Sequence, residues 1–261
     1  MSETNTAIVA APGPSLPAVA ARCDGFSVVA VGDALRLLPQ ALACYAGDLA
    51  WWTVNCTQGA SWSRFTGEKI VPMQPEQADD EELLRLCEHY GATRMPTVDT
   101  PGFLAPPGRI ACGDCSLFGA ISYALGLGYT RLILVGADMR VVDGRRHFFG
   151  DHPAPLSNRV DYSRFVPQFE RAAALLPAHV SIVNATPGSA LRCFPIVDLN
   201  STPAAFSLFA TGVWAAAGAG AFTSAHYPDW RHCGGGQPNN EHRRAGGLVP
   251  FLRGRGRHLT R

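Results

Sequence analysis

Residues 114–139 constrain the fold more than any other stretch, because they read as one helix feeding one fully buried strand. Asp114 or Ser116 is placed to cap the helix start, Leu117, Ile121, Ala124 and Leu125 recur at helical spacing, and Gly126 and Gly128 stop the helix. Residues 132–135 follow as an unbroken apolar run, the pattern of a strand covered on both faces in a parallel sheet. Asp138 stands just past the carboxyl end of that run, the edge at which open α/β sheets bind ligands. Asp138 is therefore a candidate ligand contact, with a turn-capping carboxylate as the plain alternative.

The same pattern recurs upstream. Residues 6–11 form an apolar run broken by Pro12-Gly13-Pro14-Ser15-Leu16. Gly13 lets backbone approach a ligand closely, and Ser15 can cap a helix that begins at Leu16, whose exposed N–H groups would attract phosphate. A proline-rich β–α turn explains these residues equally well. Residues 26–31 read as a second strand ending at Gly32-Asp33, residues 34–45 have helical spacing, and residues 49–54 read as a third strand ending at Asn55. This alternation predicts a Rossmann-like, doubly wound α/β fold with a mainly parallel sheet and helices on both faces. Gly13 with Pro14 and Ser15, Asp33, and Asn55 then occupy successive carboxyl-end loops.

Further along, Trp51, Trp52 and Trp62 are expected in or beside the core. Residues 63–80 look irregular, residues 80–89 read as a charged helix, and residues 93–109, with four prolines, read as a long loop suited to a lid or site wall. Residues 162–176 form an amphipathic helix pattern and 180–184 a strand, ending in the small-residue turn 185–189, which suits contact with a ligand backbone. The α/β pattern fades after Leu199, which divides the chain into a Rossmann-like domain at 1–205 and a low-complexity tail at 206–261, expected to be poorly ordered.

The densest chemistry lies in Arg145-Arg146-His147-Phe148-Phe149-Gly150-Asp151-His152-Pro153. Histidine moves protons near neutral pH, and Asp151 is placed to orient it or raise its basicity. A general base, a metal cluster and a plain surface loop are all readings of this segment. Composition narrows the partners: with 16% charged residues and a net charge of +1, nothing calls for nucleic acid or a membrane surface. Eight scattered cysteines suit buried thiols in a reducing cytoplasm, with Cys112-x-x-Cys115 matching half of a zinc site or a redox pair. No apolar run reaches the ~18 residues of a membrane span. A soluble, intracellular protein is expected, and a homo-oligomer is left open.

The Ile8-Val9-Ala10-Ala11-Pro12-Gly13-Pro14-Ser15-Leu16 segment, residues 116–138 and His147-Phe-Phe-Gly-Asp-His152 resemble motifs of the bacterial sialyltransferases of glycosyltransferase family 42. They equally resemble the domain-of-unknown-function 115 superfamily, with phage-encoded members and a 6-hydroxymethylpterin pyrophosphokinase. The likeness covers residues 5–200. It implies a nucleotide loop at Gly13, Pro14 and Ser15, further nucleotide contacts at Asp33, Asn55 and Ser116, and a general base at His152; Asp138 at its strand end joins the nucleotide candidates, and Asp151 and His147 the catalytic ones, from the residues themselves. Pro12 stands where the sialyltransferases have asparagine, Leu117 where they have glycine, and no tyrosine pair follows Asp138. What the resemblance implies is therefore a nucleotide-dependent transferase, with a CMP-sugar-like nucleotide sugar as co-substrate, a hydroxyl acceptor and no prosthetic group. The alternatives are a magnesium-dependent pyrophosphokinase and a catalytically inactive phage-type nucleotide-binding protein.

Overall fold

The structure, a computed structural model, describes residues 5–58, 65–154, 156 and 160–197. In chain order the elements are β1 (Thr6–Ala10), β2 (Ser27–Val31), β3 (Ala43–Tyr45), α1 (Leu49–Gln58), β4 (Glu68–Met73), α2 (Glu81–Tyr90), β5 (Thr93–Val98) and β6 (Ile110–Ala111). They continue with α3 (Ser116–Gly126), β7 (Arg131–Val135), α4 (Tyr162–Ala173) and β8 (Ser181–Asn184), and short 3-10 turns follow β1 and β2. Among the described residues the strands form one sheet in the order β6-β5-β4-β3-β2-β1-β7-β8, every pairing parallel. This is the expected doubly wound α/β fold.

Strand β1 is buried at every residue, so it has no face to give to solvent and takes an interior place in the sheet, between β2 and β7. Its side chains alternate between the two layers. Ala7 and Val9 join Leu132 and Leu134 against α3 and Phe169 of α4, while Ile8 and Ala10 join Ile133 and Val135 against Leu16, Leu38 and Trp52. Phe118 of α3 packs its ring 4.5 Å from Phe103 and 5.6 Å from Phe169. Each such fully buried side chain contributes about 1.5–3 kcal/mol. The chain winds outward from β1 to β6 and returns through α3 to β7 on the other side of β1. The order reverses between β1 and β7, which makes their carboxyl edge the switch point of the sheet.

Several sequence expectations are corrected. Residues 49–54 are not a strand but part of α1, whose start is capped by Asp48 Oδ1 accepting from the Ala50 N–H at 2.9 Å. Trp51 and Trp52 sit about 100° apart on this helix and both reach the core, with ring centroids 5.1 Å apart at 89°. Asn55 is accordingly not at a strand end; it lies in α1, and its Nδ2 donates to the Trp51 carbonyl at 2.9 Å. The third strand is β3, inside the stretch expected to be helical. The irregular stretch 63–80 contains β4, and the expected loop 93–109 opens with β5, the two strands paired so that Pro72 meets Met95 and Met73 meets Pro96.

The start of α3 differs as well, since neither Asp114 nor Ser116 caps it. Asp114 instead accepts two bonds from Arg164 of α4, at 2.8 and 2.6 Å, and Ser116 Oγ accepts from the Gly47 N–H after β3 at 3.0 Å. Trp62, the boundary at 205 and the tail lie outside the described residues. Among the described residues no helix is long and apolar enough to cross a membrane.

Candidate functional site

Past the carboxyl ends of β1 and β7 the chain is stitched to itself. Gly13 donates its N–H to the Gly136 carbonyl at 3.0 Å and Leu16 to the Gly13 carbonyl at 3.1 Å. Ser15 gives both its N–H, at 3.2 Å, and its hydroxyl, at 2.8 Å, to Asp138 Oδ2. Pro12 and Pro14 have no N–H. Every donor of the loop expected to cradle phosphate therefore has an acceptor within the protein, and the turn it opens is three residues of 3-10 helix rather than an α-helix. Gly13 is needed for a related reason: a Cβ there would run into the Asp138 carboxylate and the Gly136 carbonyl. The close backbone approach is to its own chain.

The turn at 185–189 also grips β7's continuation. Thr186 Oγ1 accepts from the Ala137 N–H at 3.0 Å, Ser189 Oγ donates to the Ala137 carbonyl at 2.5 Å, and the Ala190 N–H reaches the Asp138 carbonyl at 2.9 Å. With Asp138 fixed from both sides, Met139 adopts a left-handed φ of 48°, a conformation costing roughly 1–3 kcal/mol in a non-glycine residue and persisting where its surroundings over-determine it.

In front of this seam lies a cleft of about 210 Å³. It brings together Gly13, Asp33, Ser116, Asp138, His147 and His152, while Pro14, Ser15, Asn55 and Asp151 stand outside its lining. The volume lies below the roughly 300–1,000 Å³ of a typical small-molecule site. Cleft walls missed by sequence reasoning are Trp51, Met139 and Tyr162. Tyr162 is the first residue of α4 and carries no motif; its place beyond the histidine loop is set by tertiary packing alone.

The histidine loop is anchored to the β1 loop by the Phe148 N–H donating to the Pro12 carbonyl at 3.0 Å. His147 stacks on Phe149 with ring centroids 5.1 Å apart and planes within 2°, and its centroid is 4.7 Å from that of His152. Arg36 closes the stack from outside, its guanidinium 5.0 Å from the Phe149 centroid. Beyond the turn at Gly150 (φ 92°) the exposed carboxylate of Asp151 lies 3.5 Å from Arg146. The carboxylate facing His152 is Asp33, with Oδ2 3.6 Å from His152 Nδ1 and accepting from Trp51 Nε1–H at 2.7 Å.

Burial lowers the His147 pKa from its ordinary 6.5, and neighbouring His152 lowers it further, against the raising influence of the Gly150 backbone, Asp33 and Asp151. Burial likewise raises the Tyr162 phenol, with Arg146 opposing and Asp138 reinforcing the shift, so Tyr162 keeps its proton and can donate it in a hydrogen bond. Cys115 also lines the cleft at the start of α3, where burial pushes its thiol up to about 12. Among the described residues no group of three or more His, Cys, Asp or Glu is placed to hold a metal ion.

The open parallel sheet thus carries a histidine pair, a buried carboxylate and an arginine around the cleft at its carboxyl edge. No protein-family model, curated protein or solved structure matches the chain.

Proposed function

We propose that the protein is a nucleotide-dependent transferase, most concretely a glycosyltransferase taking a CMP-sugar-like donor, with His152 as general base. The observation that carries this reading is the position of His152 and His147 in the wall of the β1/β7 cleft, at the edge where such sheets hold nucleotides. In the reaction His152 takes the proton of the acceptor hydroxyl, the hydroxyl oxygen bonds to the anomeric carbon, and the bond from that carbon to the phosphate oxygen breaks with its electron pair leaving on the nucleotide. General-base assistance of this kind is worth about 10²–10⁴ in rate.

The leaving charge has to be met by donors fixed in advance. The residues that suit this are Arg146, the Tyr162 hydroxyl and the first turn of the eleven-residue helix α3, since Cys115, Ser116, Arg146 and Tyr162 all line the cleft. This moves the phosphate contact from the Gly13 loop to the facing wall, and Arg146→Ala is expected to weaken nucleotide binding about tenfold or more. A pyrophosphokinase would need magnesium on Asp138 or Asp151. Asp138 Oδ2 already accepts both Ser15 donors and Asp151 pairs with Arg146, so these carboxylates offer that reading no built site.

Thermal shift against CMP, UDP, GDP, ATP and CMP-sugars, with and without magnesium, tests the proposal, because a ligand at about a hundred times its Kd stabilises by roughly 2.7 kcal/mol. Stabilisation by a nucleoside phosphate without magnesium is the expected result. A response confined to ATP with magnesium would replace this reading with the pyrophosphokinase, and no response to any nucleotide would remove it.

A further inference from the structure

We propose that Asp33 is the positioning residue of the His152 base, holding the ring so that Nδ1 carries the hydrogen and Nε2 takes the acceptor's proton. This rests on the reading of His152 as a general base. Asp33 ends β2 inside the 3-10 turn Gly32–Arg36 and is only 7% exposed, so its charge requires partners close by. Trp51 Nε1–H supplies one at 2.7 Å, and Arg36 Nη1 stands 3.8 Å from the other oxygen. Trp51 is itself buried in α1, next to Trp52, whose Nε1–H is tied to the Ala46 carbonyl at 2.7 Å. The carboxylate is thus aimed from a strand end and a helix, both rigid elements, which is the support a catalytic group needs.

His152 meets this carboxylate while packed against the edge of the His147–Phe149 stack, its ring 5.0 Å from Phe149 and 4.7 Å from His147, in a loop anchored at Pro12. The Nδ1 to Oδ2 distance of 3.6 Å is longer than a hydrogen bond, as base and orienter contacts commonly are before substrate tightens them. Of the other nearby carboxylates, Asp151 lies against Arg146 and Asp138 takes both donors of Ser15. An imidazole with an acceptor at Nδ1 keeps its hydrogen there and its lone pair at Nε2. The competing role for Asp33 is purely structural: satisfying the Trp51 indole and pairing with Arg36.

Ring-nitrogen chemical shifts of His152 in the full chain, read from long-range proton–nitrogen correlation spectra and assigned with H152Q, separate the two roles. The expected result for the unaltered protein at neutral pH is a hydrogen on Nδ1 and none on Nε2; the opposite tautomer would overturn the proposal without any variant of Asp33. D33N, which keeps an oxygen for Trp51, is expected to deplete that tautomer and lower turnover about a hundredfold or more, with the donor KM within a few-fold. W51F is expected to leave the tautomer as it is. An unchanged tautomer in D33N, or an equal change in W51F, would assign Asp33 the structural role. Full turnover by H152A would overturn the base itself, a failure distinct from that of Asp33.

Discussion

A methyl group at position 13 would overlap the Asp138 carboxylate and the Gly136 carbonyl, so Gly13→Ala has to part the loops after β1 and β7. The expected cost is about 1–3 kcal/mol, read as a lower urea midpoint. A midpoint unchanged from the parent would show that the seam is looser than described. His147 gives a second residue-scale prediction. Its folded-state pKa lies below the ordinary 6.5, so as pH falls the unfolded chain takes up this proton first. The stability tied to it is fully present above 6.5 and is lost as pH drops below that value toward the folded-state pKa. His147→Gln should therefore lose less stability than the parent between about pH 7.5 and about pH 5.5, and an equal loss would contradict the burial of that ring. At this scale the edge rule and the histidine-rich motif singled out Gly13, Asp33, Asp138, His147 and His152, and the resemblance Ser116, six residues that line one cleft. What escaped was pairing: Asp151 is adjacent to His152 in sequence, whereas the carboxylate that meets it, Asp33, lies over a hundred residues away and is aimed by Trp51.

Among the elements, β1, β2 and β7 were legible because interior strands of a parallel sheet carry apolar runs, and β8, at the sheet edge, was legible from its shorter Ile182-Val183 run after an amphipathic helix. Strands β4 and β5 carry Glu68, Lys69 and Pro72, and Arg94 and Pro96, on the flank away from the switch point, and β3 is three residues long, so none shows an apolar run. The stretch around Trp51 and Trp52 misled for the opposite reason: a wide apolar helical face next to a small window reads like a buried strand, and Asp48 as N-cap was the signal that tells them apart. Asp48→Ala should destabilise by about 1 kcal/mol in chemical denaturation; no change would mean that α1 does not depend on this cap. Hydrogen exchange should find the amides of β1 and β7 the slowest and those of β6, two residues at the sheet edge, among the fastest of the strands. Fast exchange throughout β1 would contradict its interior place.

For the molecule as a whole, a net charge of +1 provides no long-range attraction for a polyanion, so any nucleotide must be held by local geometry. The doubly wound sheet provides one place for that, where strand order reverses between β1 and β7 and the histidine loop folds back over the β1 loop. The proposed activity concentrates there, on a base in the cleft wall with phosphate donors facing it. The most direct test is release of free nucleotide from a nucleotide-sugar donor by the parent protein and by His152→Ala, measured alongside the affinity of each for the nucleotide product. The expected result is turnover lowered about a hundredfold or more with affinity kept within a few-fold. Turnover by His152→Ala at the parent rate would contradict the account.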